Sequence, residues 1–166
     1  MRAVETYEAE HDAPPIAMLT ALFEAHGWPC EATSDELSGE IKGSWATYQL
    51  RGIWRAEDNV LQVLCLPDVR VAKDKRAEAH ALLALVNEQM WLGHFDIWSN
   101  GGVLLYRNAT VLGDAGTLEL SQAQALIEIA VDECDRFYPA FQFVLWGGKS
   151  PREALDAAMV DAAGEA

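Results

Sequence analysis

The sequence predicts an α+β domain in which helices pack on an antiparallel five-stranded sheet. Residues 29–71 and 94–110 are rich in β-branched and aromatic residues, whereas three other stretches repeat apolar residues at helical spacing. The Asn-Gly-Gly sequence at residues 100–102 is typical of a tight hairpin turn. The expected order is one helix, three strands, a helix, two strands, a long helix and a short C-terminal helix.

Capping residues and a helix-ending glycine mark the limits of the first and last predicted helices. Asp12 precedes a Pro-Pro pair at residues 14–15, so we expect a helix that is capped by Asp12 and ends at Gly27. Ser150 and Glu153 fit a capping box, which predicts a short helix to about residue 160. The second predicted helix covers residues 74–91, and its apolar face is formed by Ala79, Leu82, Leu83, Val86 and Met90.

The long helix is predicted over residues 121–146. Ser121 and Gln124 fit a second capping box, in which each side chain bonds to the other residue's backbone N–H. Pro139 lies inside this helix and is expected to kink it, because proline lacks an N–H and crowds the carbonyl of Asp135.

One predicted strand has a sequence that favours the centre of the sheet. Residues 60–66 are nearly all apolar, so both faces of this strand are expected to be covered. The first predicted strand begins at residues 30–34 and continues over residues 39–43 after a turn. The others are predicted at residues 46–55, 94–99 and 103–110.

Composition excludes several classes of partner. The chain has 166 residues, of which 51% are hydrophobic, and a formal net charge of −14. Because phosphate binding needs clustered lysine and arginine, nucleic acid and anionic membranes are poor partners. No apolar run is long enough for a membrane span and no secretory signal is visible, so we expect a cytoplasmic protein. We also expect a flexible acidic leader over residues 1–12, a single domain over residues 13–160 and a frayed tail over residues 161–166.

The sequence contains no recognisable catalytic or metal-binding motif, and we predict no cofactor. The three cysteines are far apart and include no CxxC pair, so they are interpreted as small buried hydrophobes. Asp132, Glu133 and Asp135 spread around the long helix and are interpreted as a solvated face.

Aromatic residues provide the strongest functional signal. On residues 46–55, Tyr48, Leu50 and Trp54 alternate with polar side chains, which predicts one face packed by helices and an opposite face open to a partner. Such a mixed aromatic and polar face suits a protein interface. Trp45, Arg51 and Trp98 are the candidate partner-binding residues.

Two alternative functions predict different surface features. A small-molecule-binding protein or enzyme would have a pocket near His94, Asp96 and Trp98. A purely structural subunit of a larger assembly would expose a large apolar patch.

Several phrases in the sequence resemble the YbjN family of bacterial sensory transduction regulators. They are residues 45–52 (WATYQLRG), the pair Asn87-Glu88 followed by residues 93–96 (GHFD), and residues 136–142 (RFYPAFQ) leading into residues 146–151 (WGGKSP). The resemblance covers most of the chain, from about residue 15 to residue 160. It implies a fold similar to type III secretion chaperones, which are homodimers that bind partner polypeptides without chemistry. The expected function is therefore that of a non-enzymatic regulatory or chaperone-like domain, which binds a polypeptide and forms a homodimer.

Overall fold

The sheet contains six antiparallel strands in the order β1-β2-β3-β4-β6-β5 within the described part of the chain. The computed structural model describes the backbone of residues 13–164 and the side chains of residues 13–160. The strands are β1 (Cys30–Ala32), β2 (Glu36–Lys42), β3 (Thr47–Arg55), β4 (Val60–Leu66), β5 (His94–Trp98) and β6 (Val103–Val111). The helices are α1 (Pro15–His26), α2 (Arg76–Glu88, after a 3₁₀ turn at Lys73–Lys75), α3 (Leu120–Leu145) and α4 (Pro151–Gly164).

The α+β class and the antiparallel pairing are confirmed, but the prediction of five strands was wrong. The first predicted strand is two strands, because the chain reverses at residues 33–35 and β1 pairs with β2. Thr33 produces this reversal. Its N–H donates to the carbonyl of Glu36 at 2.8 Å, and its hydroxyl oxygen accepts the N–H of Glu36 at 3.1 Å. The prediction placed a turn between residues 34 and 39 and counted the segments on both sides of it as one strand, whereas the chain reverses earlier and forms two paired strands.

The core lies between one face of the sheet and the helices. The largest buried side chains include Tyr48 on β3, Phe95 on β5, and Phe137 and Phe141 on α3. Strand β4 is central, as predicted, and Leu64 is buried on its second face as well. The buried residues of β4 on the helix side are Leu61, Val63 and Cys65. Cys65 and Cys134 are buried as expected, whereas Cys30 is partly exposed.

Two of the predicted helix ends agree with the structure and a third does not. Gly27 ends α1 in the left-handed conformation at φ 69°. Ser150 and Glu153 form the predicted capping box, with the N–H of Glu153 donating to Ser150 Oγ at 3.3 Å. The Ser121–Gln124 box was wrong, because α3 begins one residue earlier and Gln124 Nε2 donates to Glu128 instead. Asp12 and the acidic leader lie outside the described residues, and α4 continues past residue 160 to Gly164.

No helix within residues 13–164 combines the length and apolarity that crossing a bilayer requires.

Candidate partner-binding surface

The three predicted partner-binding residues do not form one cluster. Trp45 lies on the turn between β2 and β3, away from the strands themselves. Arg51 on β3 and Trp98 on β5 share the sheet face opposite the helices, as the alternation predicted. Strands β4 and β6 separate them. Because neighbouring strands lie about 4.8 Å apart, Arg51 and Trp98 are separated by about 14 Å across the sheet.

Trp45 fastens the β2–β3 turn to α3. Pro139 has no N–H, so the carbonyl of Asp135, four residues earlier, lacks its usual partner within the helix. Trp45 Nε1 donates to this carbonyl at 3.0 Å, and its indole stacks parallel to the Tyr138 ring at 6.2 Å between centroids. About half of Trp45 stays exposed, at 51%. Its role is therefore structural at least in part.

The carboxylate of Asp135 fastens the same turn. It accepts hydrogen bonds from the Ser44 N–H at 2.8 Å, the Ser44 hydroxyl at 2.9 Å and the Tyr48 hydroxyl at 2.6 Å. Burial, together with the hydrogen bond to Asp135, raises the pKa of Tyr48 well above its usual range. The interpretation of Asp135 as part of a solvated face was therefore wrong, because spacing along a helix does not reveal a turn that docks from elsewhere in the chain.

Glu133 is also more than a solvated carboxylate. Its Oε2 is buried without a hydrogen-bond partner among the described residues, and Arg136 Nη1 approaches only to 3.9 Å. Burial raises the pKa of Glu133, while the charge of Arg136 lowers it and that of Asp132 raises it. Of the three carboxylates, only Asp132 is classed as exposed.

The sheet face opposite the helices combines ion pairs with apolar side chains. Arg51 pairs with Glu36 at 3.4 Å, and Arg107 pairs with Asp96 at 2.6 Å. In the register, Leu64 lies between Arg51 and Arg107 and Leu105 lies opposite Asp96, and both leucines are buried. The apolar surface that this face offers therefore comes from half-buried side chains such as Leu66, Val103 and Trp98, with the charged pairs beside them.

The residues predicted to line a small-molecule pocket lie on β5, where Asp96 already accepts hydrogen bonds from neighbouring groups. Asp96 Oδ2 accepts a hydrogen bond from Arg107, and its Oδ1 accepts one from the Ile97 N–H at 2.8 Å. His94 is exposed and lies across from Arg107 in the β5–β6 register. A groove of about 390 Å³ lies elsewhere, between α1 and the β1–β2 turn, and is lined by residues such as Ile16, Thr20, Glu24 and Ser34. Among the described residues, no group of three or more His, Cys, Asp or Glu could hold a metal ion.

Among residues 13–160, the most exposed aromatic side chain is one that the sequence pattern did not single out. Trp91 is 98% exposed and the adjacent Leu92 is 52% exposed. The prediction placed Trp91 at the end of a helix, but α2 ends at Glu88, so residues 89–93 form a turn into β5. Trp91 lies outside the apolar spacing that ends at Met90, and this was the available signal that it does not belong to the core.

Hydrogen bonds hold this turn at both ends. Asn87 Nδ2 donates to the carbonyl of Phe95 at 3.0 Å, and Asn87 Oδ1 accepts the Phe95 N–H at 2.8 Å. The Tyr106 hydroxyl donates to the carbonyl of Leu92 at 3.0 Å. Gly93 adopts φ 68°, and a Cβ at this position would lie 2.5 Å from the Tyr106 hydroxyl oxygen. The turn therefore presents Trp91 from a well-defined backbone.

These features define a helix-covered antiparallel sheet of the α+β class that displays aromatic residues on its surface. The chain belongs to the YbjN family, described as "Putative bacterial sensory transduction regulator", whose profile matches residues 15–143. The fold is similar to the crystal structure of YbjN from E. coli, described as a "putative transcription regulator", with a TM-score of 0.54 and 10% sequence identity. That alignment covers 74% of this chain and 87% of the E. coli chain. No curated protein matches the sequence.

Proposed function

We propose that this chain is a non-enzymatic regulatory domain that binds a segment of a partner polypeptide in the manner of a chaperone. The observation that carries the proposal is the nearly complete exposure of Trp91, next to the half-exposed Leu92, on a turn fixed by hydrogen bonds. Isolated exposed apolar residues are common, but two large ones side by side are typical of a binding site.

The energy available from this surface is sufficient for specific binding. A tryptophan buries about 150–250 Å² in an interface, which at about 25 cal/mol per Å² corresponds to about 4–6 kcal/mol before the costs of association. Aromatic anchors of this kind typically cost about 2 kcal/mol or more of binding when they are truncated. Because the turn is already ordered in the free protein, little entropy is lost there on binding.

Charge supports regulation through a protein and not through direct contact with DNA. With 12 basic and 26 acidic residues, the chain would repel a phosphate backbone. A family member that regulates transcription or signalling without contacting nucleic acid would act through a polypeptide.

We also propose a homodimer that uses the sheet face carrying Arg51 and Trp98. The half-buried apolar side chains of this face and its paired charges support the assignment, since the ion pairs on this face leave little unpaired charge there to repel a second copy. The family resemblance implies a fold similar to type III secretion chaperones, which are homodimers, and this supports a dimer without specifying its interface. Light scattering on purified protein should give twice the mass of one chain, and the mass of a single chain would refute the dimer.

Site-specific crosslinking tests the partner surface. A photoreactive phenylalanine analogue placed at position 91 should crosslink in cells to a discrete polypeptide. Trp146, at the end of α3, is a matched control, because it is also a tryptophan and is 63% exposed. A product formed from position 91 and not from position 146 is the expected result. No product, or the same products from both positions, would overturn the proposal.

A further inference from the structure

Strand β6 is longer than its neighbour β5 and has an unpaired stretch of edge within residues 13–164. The β5–β6 register runs from Trp98↔Val103 to His94↔Arg107, but β6 continues to Val111. On its other side β6 remains paired with β4 up to Val60↔Val111. The last residues of β6 therefore have a strand on one side only.

The free backbone groups can be assigned from the hydrogen bonds at the two ends of β6. The N–H of Leu104 donates to Val69 at 3.0 Å and the N–H of Leu112 donates to Asn59 at 2.8 Å, both toward the β4 side. Because backbone groups alternate along a strand, the N–H and C=O of Ala109 and Val111 face the opposite side, in line with β5. Both residues are exposed, Val111 at 77%.

The described segments on both sides of this edge turn away from it. At Gly93 the backbone turns out of the line of β5 toward the helices, where the Leu92 carbonyl accepts the Tyr106 hydroxyl. After β6 the connection to α3 crosses to the other side of the strand, and a Cβ on Gly116 would lie 3.3 Å from both Asn59 and Trp54. Within residues 13–164, no strand pairs with Ala109 and Val111 on the β5 side.

The neighbouring edge of β5, by contrast, is capped. The side chain of Asn87 bonds to both the N–H and the C=O of Phe95, and Asp96 Oδ1 accepts the N–H of Ile97. Such caps prevent an exposed edge from pairing with another chain. Since side chains cap the edge of β5, the end of β6 is the place on this side of the sheet, within residues 13–164, where a strand can be added.

We propose that the edge of β6 at Ala109 and Val111 binds an extended, basic segment of the partner polypeptide as an added strand. The inference rests on the proposed function and names its site. The incoming segment would continue the line of β5 and pass the turn that carries Trp91 and Leu92. Backbone hydrogen bonds would hold the segment, and the exposed apolar residues would select its side chains.

The charge of the chain favours a basic segment as the occupant of this edge. The sequence has 12 basic and 26 acidic residues, for a formal net charge of −14, and Arg107, the basic residue of β6, is already paired with Asp96. A strand rich in lysine or arginine would therefore be attracted to the protein, whereas an acidic strand would be repelled.

Hydrogen exchange of the full chain tests whether the edge is free. The amides of Ala109 and Val111 should exchange rapidly, whereas those of Thr110 and Leu112, which face β4, should be protected. Equal protection of all four amides would overturn the proposal.

Peptide binding then tests the occupant. The probe is the synthetic peptide acetyl-KVKVKVK-amide, with acetyl-EVEVEVE-amide as its matched control, and binding is followed by amide chemical shifts. The lysine peptide should shift and protect the amides of Ala109 and Val111 and bind at least about tenfold more tightly than the glutamate peptide, since one well-placed ion pair is sufficient for such a difference. Shifts confined to other strands, or equal binding of both peptides, would overturn the proposal.

A proline substitution separates this site from the proposed function. Val111→Pro removes an N–H that the β4 pairing does not use, and Val111→Thr keeps it. Val111→Pro should abolish protection by the lysine peptide, while Val111→Thr should behave as wild type. If Val111→Pro binds normally but Trp91→Ala loses the cellular crosslinking partner, the edge proposal fails and the proposed function stands. If the peptide binds at the edge but position 91 yields no crosslinked partner, the proposed function fails instead.

Discussion

Replacing Asp135 with alanine tests how the β2–β3 turn is fastened to α3. The carboxylate accepts two hydrogen bonds from Ser44, where water can replace it, and one of 2.6 Å from Tyr48, which is 0% exposed. A hydrogen bond to a charged group contributes about 1.5–3 kcal/mol, and a buried donor left without a partner costs about 1–3 kcal/mol. We expect Asp135→Ala to lower the free energy of unfolding by about 2–3 kcal/mol. For a chain of this size, that loss corresponds to a decrease in Tm of about 4–12 °C.

Urea denaturation followed by far-UV circular dichroism measures this loss, and a double-mutant cycle identifies its source. Combined with Tyr48→Phe, Asp135→Ala should cost less than the sum of the two single changes, with a coupling of about 1–2 kcal/mol. Asp132→Ala is the matched control, because this exposed carboxylate is on the same helix and its loss should change stability by no more than about 0.5 kcal/mol. If Asp135→Ala is as mild as Asp132→Ala, or if the two changes simply add, the hydrogen bond to Tyr48 does not fasten the turn.

The remaining predictions concern pH, assembly and backbone geometry. The folded-state pKa of Tyr48 is raised above the unfolded value of about 10, so its contribution to stability is complete below about pH 10 and is lost above it; Tyr48→Phe should reduce this alkaline loss in urea titrations. Burial raises the pKa of Glu133, so its charged form destabilises the fold above the unfolded pKa of about 4.3; Glu133→Gln should stabilise the protein at pH 7 and have no effect near pH 3. Trp98→Ala should leave the circular dichroism spectrum intact but give a lighter species in light scattering, whereas unfolding would place Trp98 in the core. Gly93→Ala should cost about 2 kcal/mol or more in thermal unfolding, because a Cβ would lie 2.5 Å from the Tyr106 hydroxyl oxygen at a positive φ; an unchanged Tm would show that the turn adapts.

Local sequence signals predicted most of the elements and their faces correctly. The unbroken apolar run of β4 indicated its central position, and alternation on β3 and β5 separated the helix-covered face from the face carrying Arg51 and Trp98. These signals succeed because side-chain direction follows the backbone period, and burial of one face selects apolar residues on it. They do not show which segments pair: the prediction joined residues 30–34 and 39–43 into one strand across a turn, whereas β1 and β2 pair with each other, and the strand count was wrong for this reason.

Contacts between distant segments were decided only by the tertiary structure. No local sequence feature shows that Ser44 and Trp45 form hydrogen bonds with Asp135, some 90 residues later in the chain. Pro139 did predict a disturbed carbonyl at Asp135. The exposure of Trp91 depends on where α2 stops, and α2 stops where the Asn87 side chain binds the backbone of β5.

The sequence by itself therefore determined the class of fold and the buried faces, because these depend on periodicity. The tertiary structure decided which aromatic side chains are displayed, which carboxylates accept hydrogen bonds, and that the end of β6 lacks a strand on one side within residues 13–164. Each of these depends on how two elements end relative to one another, and the periodicity of either element alone carries no information about that relation.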